Sequence, residues 1–376
     1  MTTVAFHVDP LFFHVPGGVG AYIRRLVPAL ATREPSLDIT LFHARFPPSS
    51  HSSELWMDRL PREELTERTR TLYPRWNLTG RPALPSRLAS LDLLHAPSAV
   101  AVPPAGRSQG LVVTVHDVAF LVVPSFFPRR WRVVYRLGLR AAVRRADAII
   151  TPSRNTAEDL LSRTSIDPAR VHVIPQAAGL EASGDDPEPL LARLNLPRPY
   201  VLYVGTLEPR KNLVRLLRAY RRVAATGVPH ALVLAGPRGW RDQTLLREIN
   251  LPGPGRVVLV GALSPSELDA IYREAAVFVY PALYEGFGLP VLEAMARGIP
   301  TICSNTSSLP EVAGDAAVGV SPSSVREIAE AIERVLTDPT LADTLSAAGR
   351  ERALLFSWEE TARLTLQAYE KAVAAK

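Results

Sequence analysis

One cysteine, Cys303, is all the thiol chemistry in the 376-residue chain. A single thiol excludes an intrachain disulfide and favours a reducing compartment. No apolar run approaches the ~20 residues that a helix needs to cross a bilayer. The first ten residues lack a basic start followed by a long apolar stretch, so they read as a buried strand rather than a signal peptide. The expected location is cytoplasmic, at the inner face of a membrane if the basic helix described below binds lipid. Lysine is scarce, found only at Lys211, Lys371 and Lys376. Histidines are scattered and the lone cysteine has no partners, so structural zinc is not expected. No Asp-x-Asp stands out as a divalent-metal site.

What is abundant is arginine, and it is unevenly placed. Residues 1–178 hold 22 Arg, no Lys and 14 acidic residues, a net +8, which leaves −2 of the total +6 for the remainder. A basic first half suits an anionic partner such as a phosphate, a membrane surface or nucleic acid. Solvated surface charge is the plainer reading. No aromatic-basic interleaving or known motif supports nucleic acid, and none is expected as a partner.

Short apolar runs recur at residues 4–8, 39–42, 111–115, 148–151 and 171–174, then at 200–204, 231–234, 257–260, 277–280 and 300–303. Most are continuous rather than alternating, as strands covered on both faces require. Helical patterns lie between many of them, at 19–30, 131–145, 213–225, 265–275 and 290–297. This alternation predicts an α/β chain with two Rossmann-like, doubly wound parallel-sheet domains. The expected division is 1–178, 179–357 and a final helix, 358–376, packing back on the first domain. Residues 43–90, with Pro47-Pro48-Ser49-Ser50, interrupt the pattern and read as a mobile excursion. Residues 176–199 carry Gly, Asp and four Pro, so they are the linker candidate. Ligands of open α/β sheets bind beyond the carboxyl ends of the strands, which suggests a cleft where two such domains face each other.

The strongest motif runs from Glu285 through Gly286, Phe287, Gly288, Leu289 and Pro290 to Glu293. It follows the run at 277–280 and opens a helix. Gly286 and Gly288 allow a sharp turn and close ligand approach. Backbone N–H groups at the helix start favour phosphate or sugar oxygens, and carboxylates accept hydrogen bonds from sugar hydroxyls. Arg210-Lys211 follows the run at 200–204 and the turn residue Gly205. Two cations there would stabilise charge developing on a leaving phosphate. Gly17-Gly18-Val19-Gly20 follows the first run and can wrap a phosphate, admit an acceptor or simply turn the chain. His116-Asp117 ends the run at 111–115, where a histidine could orient a hydroxyl or accept a proton. Arg132, Arg136, Arg140 and Arg144 fall at i, i+4 spacing between Arg129 and Arg145. They would line one helix face, with Val133, Val134, Leu137 and Ala141 opposite. That face is either solvated or a patch for anionic lipid headgroups or a polyprenyl-phosphate acceptor.

These motifs resemble the retaining glycosyltransferases numbered family 4, whose E-x7-E pattern Glu285 and Glu293 match. The resemblance spans nearly the whole chain. It includes Gly205-Thr-Leu-Glu-Pro-Arg-Lys-Asn212, Val279-Tyr-Pro281, Ser307-Ser-Leu-Pro-Glu311, His116-Asp117 and Ser357-Trp358. It is similar above all to the bacterial branch of mannosyl- and related transferases that act on polysaccharide or lipid-linked acceptors.

The resemblance implies a GT-B fold, a nucleotide-diphosphate sugar as donor with GDP-mannose favoured, and no metal or other cofactor. It implies that Glu293 holds the ribose and Glu285 the donor sugar. The amides of Phe287, Gly288 and Leu289 would line the sugar and phosphate site. His116 would sit near the donor sugar, and the Gly17-Gly18 loop would shape the acceptor and diphosphate site. Many members carry Arg where this chain has Thr206, which puts that phosphate contact in doubt; Arg210 is the substitute and Lys211 matches the family's lysine. Alternatives on the same architecture are a nucleotide-sugar epimerase, a phosphorylase or a non-catalytic sugar-nucleotide-binding scaffold.

Overall fold

Ten continuous apolar runs of four or five residues can be buried only if both faces of each strand are covered. The computed structural model, which describes residues 2–15, 17–47, 54–180 and 182–376, buries most of them between helices, while those at 171–174 and 257–260 form part-exposed edge strands. The chain divides into two compact units. One is Met1–Gln176 with Ser357–Lys376; the other is Ala177–Phe356.

The first unit holds β1 (Thr3–His7), β2 (Asp38–His43), β3 (Arg62–Glu64), β4 (Leu93–Ala96), β5 (Gly110–Thr114), β6 (Ala148–Thr151) and β7 (Val171–Val173). All pair in parallel, in the order β3-β2-β1-β4-β5-β6-β7. The second unit holds β8 (Tyr200–Val204), β9 (Ala231–Ala235), β10 (Val257–Gly261), β11 (Val277–Tyr280), β12 (Thr301–Ser304) and β13 (Val318–Val320). These are parallel too, in the order β10-β9-β8-β11-β12-β13. Strand order reverses at β1/β4 and at β8/β11, the positions where open α/β sheets leave a crevice for ligands.

Three strands are additional to the expected ten. β3 is an edge strand of Arg62, Glu63 and Glu64, held by its backbone ladder to β2. An edge needs no apolar run, and charge on it blocks further pairing. β4 and β13 are only four and three residues long.

Within the excursion expected at 43–90, residues 54–90 carry secondary structure and pack on the first unit. They form a turn at Leu55–Arg59, then β3, then the helix Thr69–Thr79. Met57, Leu72 and Trp76 are buried, and Trp76 Nε1 donates to the Pro82 carbonyl at 3.1 Å. Pro48, Ser49 and Ser50 of the Pro-Ser stretch lie outside the described residues. The linker candidate 176–199 carries a short helix, Glu188–Arg193, whose Leu190 joins the core of the second unit.

The helix Trp358–Ala374 belongs to the first unit. Ala362, Ala368, Tyr369 and Ala372 enter its core. At Gly110 a Cβ would lie 2.8 Å from the Ala372 carbonyl oxygen, so only glycine lets β5 pass beneath this helix.

Candidate functional site

In the second unit the functional segments leave neighbouring strands, β8 and β11. Beyond β8, Gly205 lies against Gly236, the residue that follows β9. The φ angles are +147° and +138°, and a Cβ on Gly236 would sit 2.2 Å from the Gly205 oxygen. That approach fixes the start of the loop carrying Thr206. Arg210 and Lys211 lie in a single turn, Pro209–Lys211, before the helix Leu213–Ala224. The turn is tied to the end of β11. Asn212, in the left-handed region at φ 64°, donates through Nδ2 to the Pro281 carbonyl at 2.9 Å. The Leu283 amide donates to the Arg210 carbonyl at 2.9 Å.

These constraints bring Arg210, Lys211 and Glu285 together. Lys211 Nζ lies 2.6 Å from Glu285 Oε1 and 2.7 Å from the Tyr280 hydroxyl. Arg210 Nη1 lies 3.1 Å from Glu285 Oε2, and its Nη2 donates to Glu208 Oε1 at 2.8 Å. Each oxygen of Glu285 therefore faces one cation, and the Tyr280 hydroxyl donates to Oε1 at 3.2 Å. Lys211 and Glu285 are both more than nine-tenths buried. Burial pushes the Glu285 carboxyl up, but Arg210 and Lys211 outweigh it and hold the carboxyl below its ordinary value. Burial also depresses the Lys211 ammonium, with Glu285 opposing.

The loop between the two glutamates is pinned from below. Ser308 Oγ donates to the carbonyls of Glu285 and Phe287 at 3.0 and 2.8 Å, and the Glu285 amide donates to Ser307 Oγ at 3.1 Å. Gly288 caps the helix Leu289–Ala296 at φ 118°; a Cβ there would meet Leu309 Cδ2 at 2.6 Å. Phe287 is buried, edge-on to Phe356 at 5.9 Å. Glu293, inside that helix, makes separate contacts: the Tyr272 hydroxyl donates to its Oε2 at 3.2 Å, and Arg297 Nη1 donates to its carbonyl at 3.0 Å. Thr206 brings no cation. Its carbonyl accepts from the Tyr203 hydroxyl at 3.3 Å. Sequence reasoning quoted Tyr280 and Ser308 within motifs but gave them no role, and it missed Tyr272. A tyrosine ending an apolar strand carries no signal of its own; it gains meaning only when a buried carboxylate faces it.

Gly17, Gly18 and His116 lie in the first unit. Gly17 opens the helix Gly17–Arg33 at φ 60°, and a Cβ on Gly17 or Gly18 would meet nothing within 4 Å. The first of these needs glycine for its backbone, and the space before both is open. The His116 ring, part-buried at the end of β5, is edge-on to Tyr22 at 5.0 Å. Its Nε2 donates to the Pro97 carbonyl at 2.8 Å, and Gln176 Nε2 donates to its Nδ1 at 3.1 Å. Burial lowers its pKa, so the ring is neutral with both nitrogens engaged. Accepting a proton requires the Gln176 bond to open.

The basic helix Arg129–Arg145 is rotated from the expected orientation. Its buried residues are Gly138, Leu139, Ala141 and Ala142, while Val133, expected on the core side, is 56% exposed. The reason is a close crossing: a Cβ on Gly138 would fall 1.9 Å from the Ala99 carbonyl oxygen, and Phe120 packs on Tyr135 at 5.4 Å. Trp131 and Val133 thus share the outer surface with Arg129, Arg130, Arg136, Arg140 and Arg144. Among the described residues no helix is long and apolar enough to cross a membrane. Among them, too, no group of three or more His, Cys, Asp or Glu is arranged to hold a metal ion.

Comparison with known proteins identifies the family. Residues 16–181 match the family described as Glycosyltransferase Family 4, and residues 192–352 match Glycosyl transferases group 1. The chain is 31% identical to the O-antigen chain mannosyltransferase B of Escherichia coli over 98% of this chain and 99% of that one. It is 33% identical to the serotype-specific mannosyltransferase WbdA of Escherichia coli over 61% of this chain and 29% of that longer one. Among solved structures, the sucrose-phosphate synthase of Thermosynechococcus elongatus superposes with a TM-score of 0.75 at 25% identity, covering 100% of both chains. The chain therefore belongs to family 4 of the glycosyltransferases, with the GT-B fold, and it resembles the bacterial mannosyltransferases of that family.

Proposed function

We propose that this glycosyltransferase moves mannose from GDP-mannose to a glycan or lipid-linked acceptor, with retention of configuration and without a metal ion. The observation that carries this reading is the convergence of Arg210 and Lys211 on Glu285 beyond the carboxyl ends of β8 and β11. The choice of mannose leans on the full-length similarity to a mannosyltransferase. In this reading Glu285 holds the two cations in place before the donor arrives. The diphosphate then shares them, and Glu285 turns its freed lone pairs to donor sugar hydroxyls. Glu293 takes the ribose hydroxyls. The amides of Phe287, Gly288 and Leu289, with Gly205 and Thr206, line the sugar and phosphate groups. Gly17, Gly18 and His116, on the first unit, serve the acceptor and the reacting end of the donor.

The chemical step breaks the bond between the anomeric carbon and the phosphate oxygen. The acceptor oxygen bonds to that carbon on the same face, and its proton passes to the departing phosphate. Arg210 and Lys211 take the negative charge that develops there. No enzymic nucleophile is needed. The outer face of the basic helix, with Trp131 between Arg130 and Val133, suits an anionic membrane surface, placing the enzyme at the cytoplasmic face.

The test is a thermal-shift screen of the protein against GDP-mannose, UDP-glucose, other nucleotide sugars and bare nucleotides in EDTA, followed by NMR of the anomeric linkage formed. A ligand that binds only the folded state raises Tm. Stabilisation by GDP-mannose with an α-linked product supports the proposal. Stabilisation by a uracil nucleotide alone, a β-linked product, or activity lost in EDTA would overturn the corresponding part.

A further inference from the structure

Along the basic helix, reached by arginines of its outer face, lies an open-sided cavity of about 700 Å³, wholly within the first unit. Arg136, Arg140 and Arg144 reach it from one helix, Arg163 from the end of the helix Arg154–Arg163, and Arg170 from the turn before β7. No carboxylate lines it. Its lining also includes Leu139, Val143 and Ser165. Arg163 is held from outside by Asp159, at 2.6 Å. Arg170 Nη2 is fixed on the Val143 carbonyl at 2.9 Å, which leaves its Nε buried without a hydrogen-bond partner. Two of the five guanidiniums are thus already oriented.

Like charges gathered on one wall repel one another, and the low-dielectric side of the cavity strengthens that repulsion. A bound anion removes it. The guanidinium fork matches the paired oxygens of a phosphate or a carboxylate and not a lone halide, and several guanidiniums together favour the phosphate for its greater charge and additional oxygens. Arg136, Arg140 and Arg144 are spaced about 6 Å apart along the helix axis, so one phosphate cannot engage all three, whereas a diphosphate or a phosphodiester with its neighbours can. The apolar lining residues offer a surface for the body that carries the phosphate.

We propose that this cavity is a second anion site, distinct from the cluster around Lys211, and that it binds a phosphate-bearing molecule of at least two negative charges. The source is either an anionic lipid headgroup or a soluble diphosphate. The inference deepens the reading of the helix Arg129–Arg145 as an anion-facing surface and rests on it.

The experiment uses the full chain with Lys211→Ala, so that the donor site does not compete, and two further pairs of substitutions. One pair, Arg140→Gln with Arg163→Gln, removes two of the cavity's five positive charges; the other, Arg129→Gln with Arg130→Gln, removes the same charge outside it. The probes are inorganic pyrophosphate by calorimetry and vesicles of equimolar phosphatidylcholine and phosphatidylglycerol by flotation. We expect the cavity pair to weaken binding by about tenfold or more, the loss of one to two charge-assisted hydrogen bonds. The outer pair should change pyrophosphate binding little. Loss of pyrophosphate binding points to a soluble source; loss of vesicle binding with no pyrophosphate affinity points to a headgroup. Vesicle binding that falls only with the outer pair would keep the membrane reading and sink the cavity. Equal binding in all chains, or none in any, would sink the cavity as well. The cavity pair in the chain with Lys211 retained should keep its nucleotide-sugar Tm shift, which shows that the fold survives.

Discussion

Lys211 and Glu285 stand 74 residues apart in sequence, yet their charged atoms meet at 2.6 Å beneath the ends of adjacent strands. The pair is buried, and the second cation, Arg210, closes on the other carboxylate oxygen. Replacing Lys211 with Ala should lower kcat by about 10²–10³, the usual cost of losing one stabiliser of transition-state charge. Stability should fall less, because Arg210 still neutralises Glu285. Steady-state rates and Tm of the variant check this; wild-type turnover would remove Lys211 from the site.

Tyr280 offers a subtler probe. Its hydroxyl bonds both members of the pair, and its ring stacks on Tyr203 at 5.6 Å. Tyr280→Phe keeps the stacking and deletes the bonds. Stability should fall by about 1 kcal/mol. Turnover should fall more than KM rises, because the loosened Lys211 is needed most as charge develops. A variant with normal kcat and raised KM would mean that the hydroxyl serves ground-state binding only.

Glu293 is held apart from that cluster by Tyr272. Glu293→Gln should weaken binding of the bare nucleotide by about tenfold, the cost of a charged hydrogen bond, and change kcat little. Titration calorimetry with the nucleoside diphosphate reads this directly. Unchanged nucleotide affinity would reassign Glu293 to the fold.

His95 sets a pH dependence in the first unit. Its Nδ1 lies 2.6 Å from the Tyr369 hydroxyl and its Nε2 2.9 Å from Thr114 Oγ1, which also meets the Tyr22 hydroxyl. Burial, with His116 nearby, pushes its pKa from 6.5 down to about 3. Between those values the unfolded chain binds a proton that the folded chain refuses. Stability should therefore fall as pH drops through that window, by up to about 1.4 kcal/mol per unit from this group. Above the window His95 contributes no slope. Denaturant melts of His95→Gln should show a flatter profile; an unchanged slope would place the effect elsewhere, His116 first.

Continuous apolar runs made the doubly wound sheets legible, because a strand covered on both faces must be apolar at every position. The Glu285–Glu293 segment and Arg210-Lys211 were legible for a different reason. Glycine, proline and charge there sit at strand ends, where a core has no use for them. β3 was hidden because an edge strand of Arg and Glu has no apolar period. The segment around Trp76 was hidden because proline and serine suggested a loop, while a few buried side chains bind it to the unit. The basic helix showed its charge spacing, but its rotation depended on Gly138 meeting the Ala99 carbonyl, a contact across 39 residues that periodicity cannot reveal.

The sequence by itself determined the parallel α/β architecture, the family and the residue types at the candidate site. Those follow from local pattern: runs, turns and charges in fixed order along the chain. Tertiary structure alone decided that Arg210 and Lys211 share Glu285, that Tyr280 and Tyr272 each serve one glutamate, and that five arginines from three elements converge on one cavity. Such pairings depend on which strands become neighbours. Parallel strands pair through long crossovers, so their ends meet across distances that no local pattern encodes.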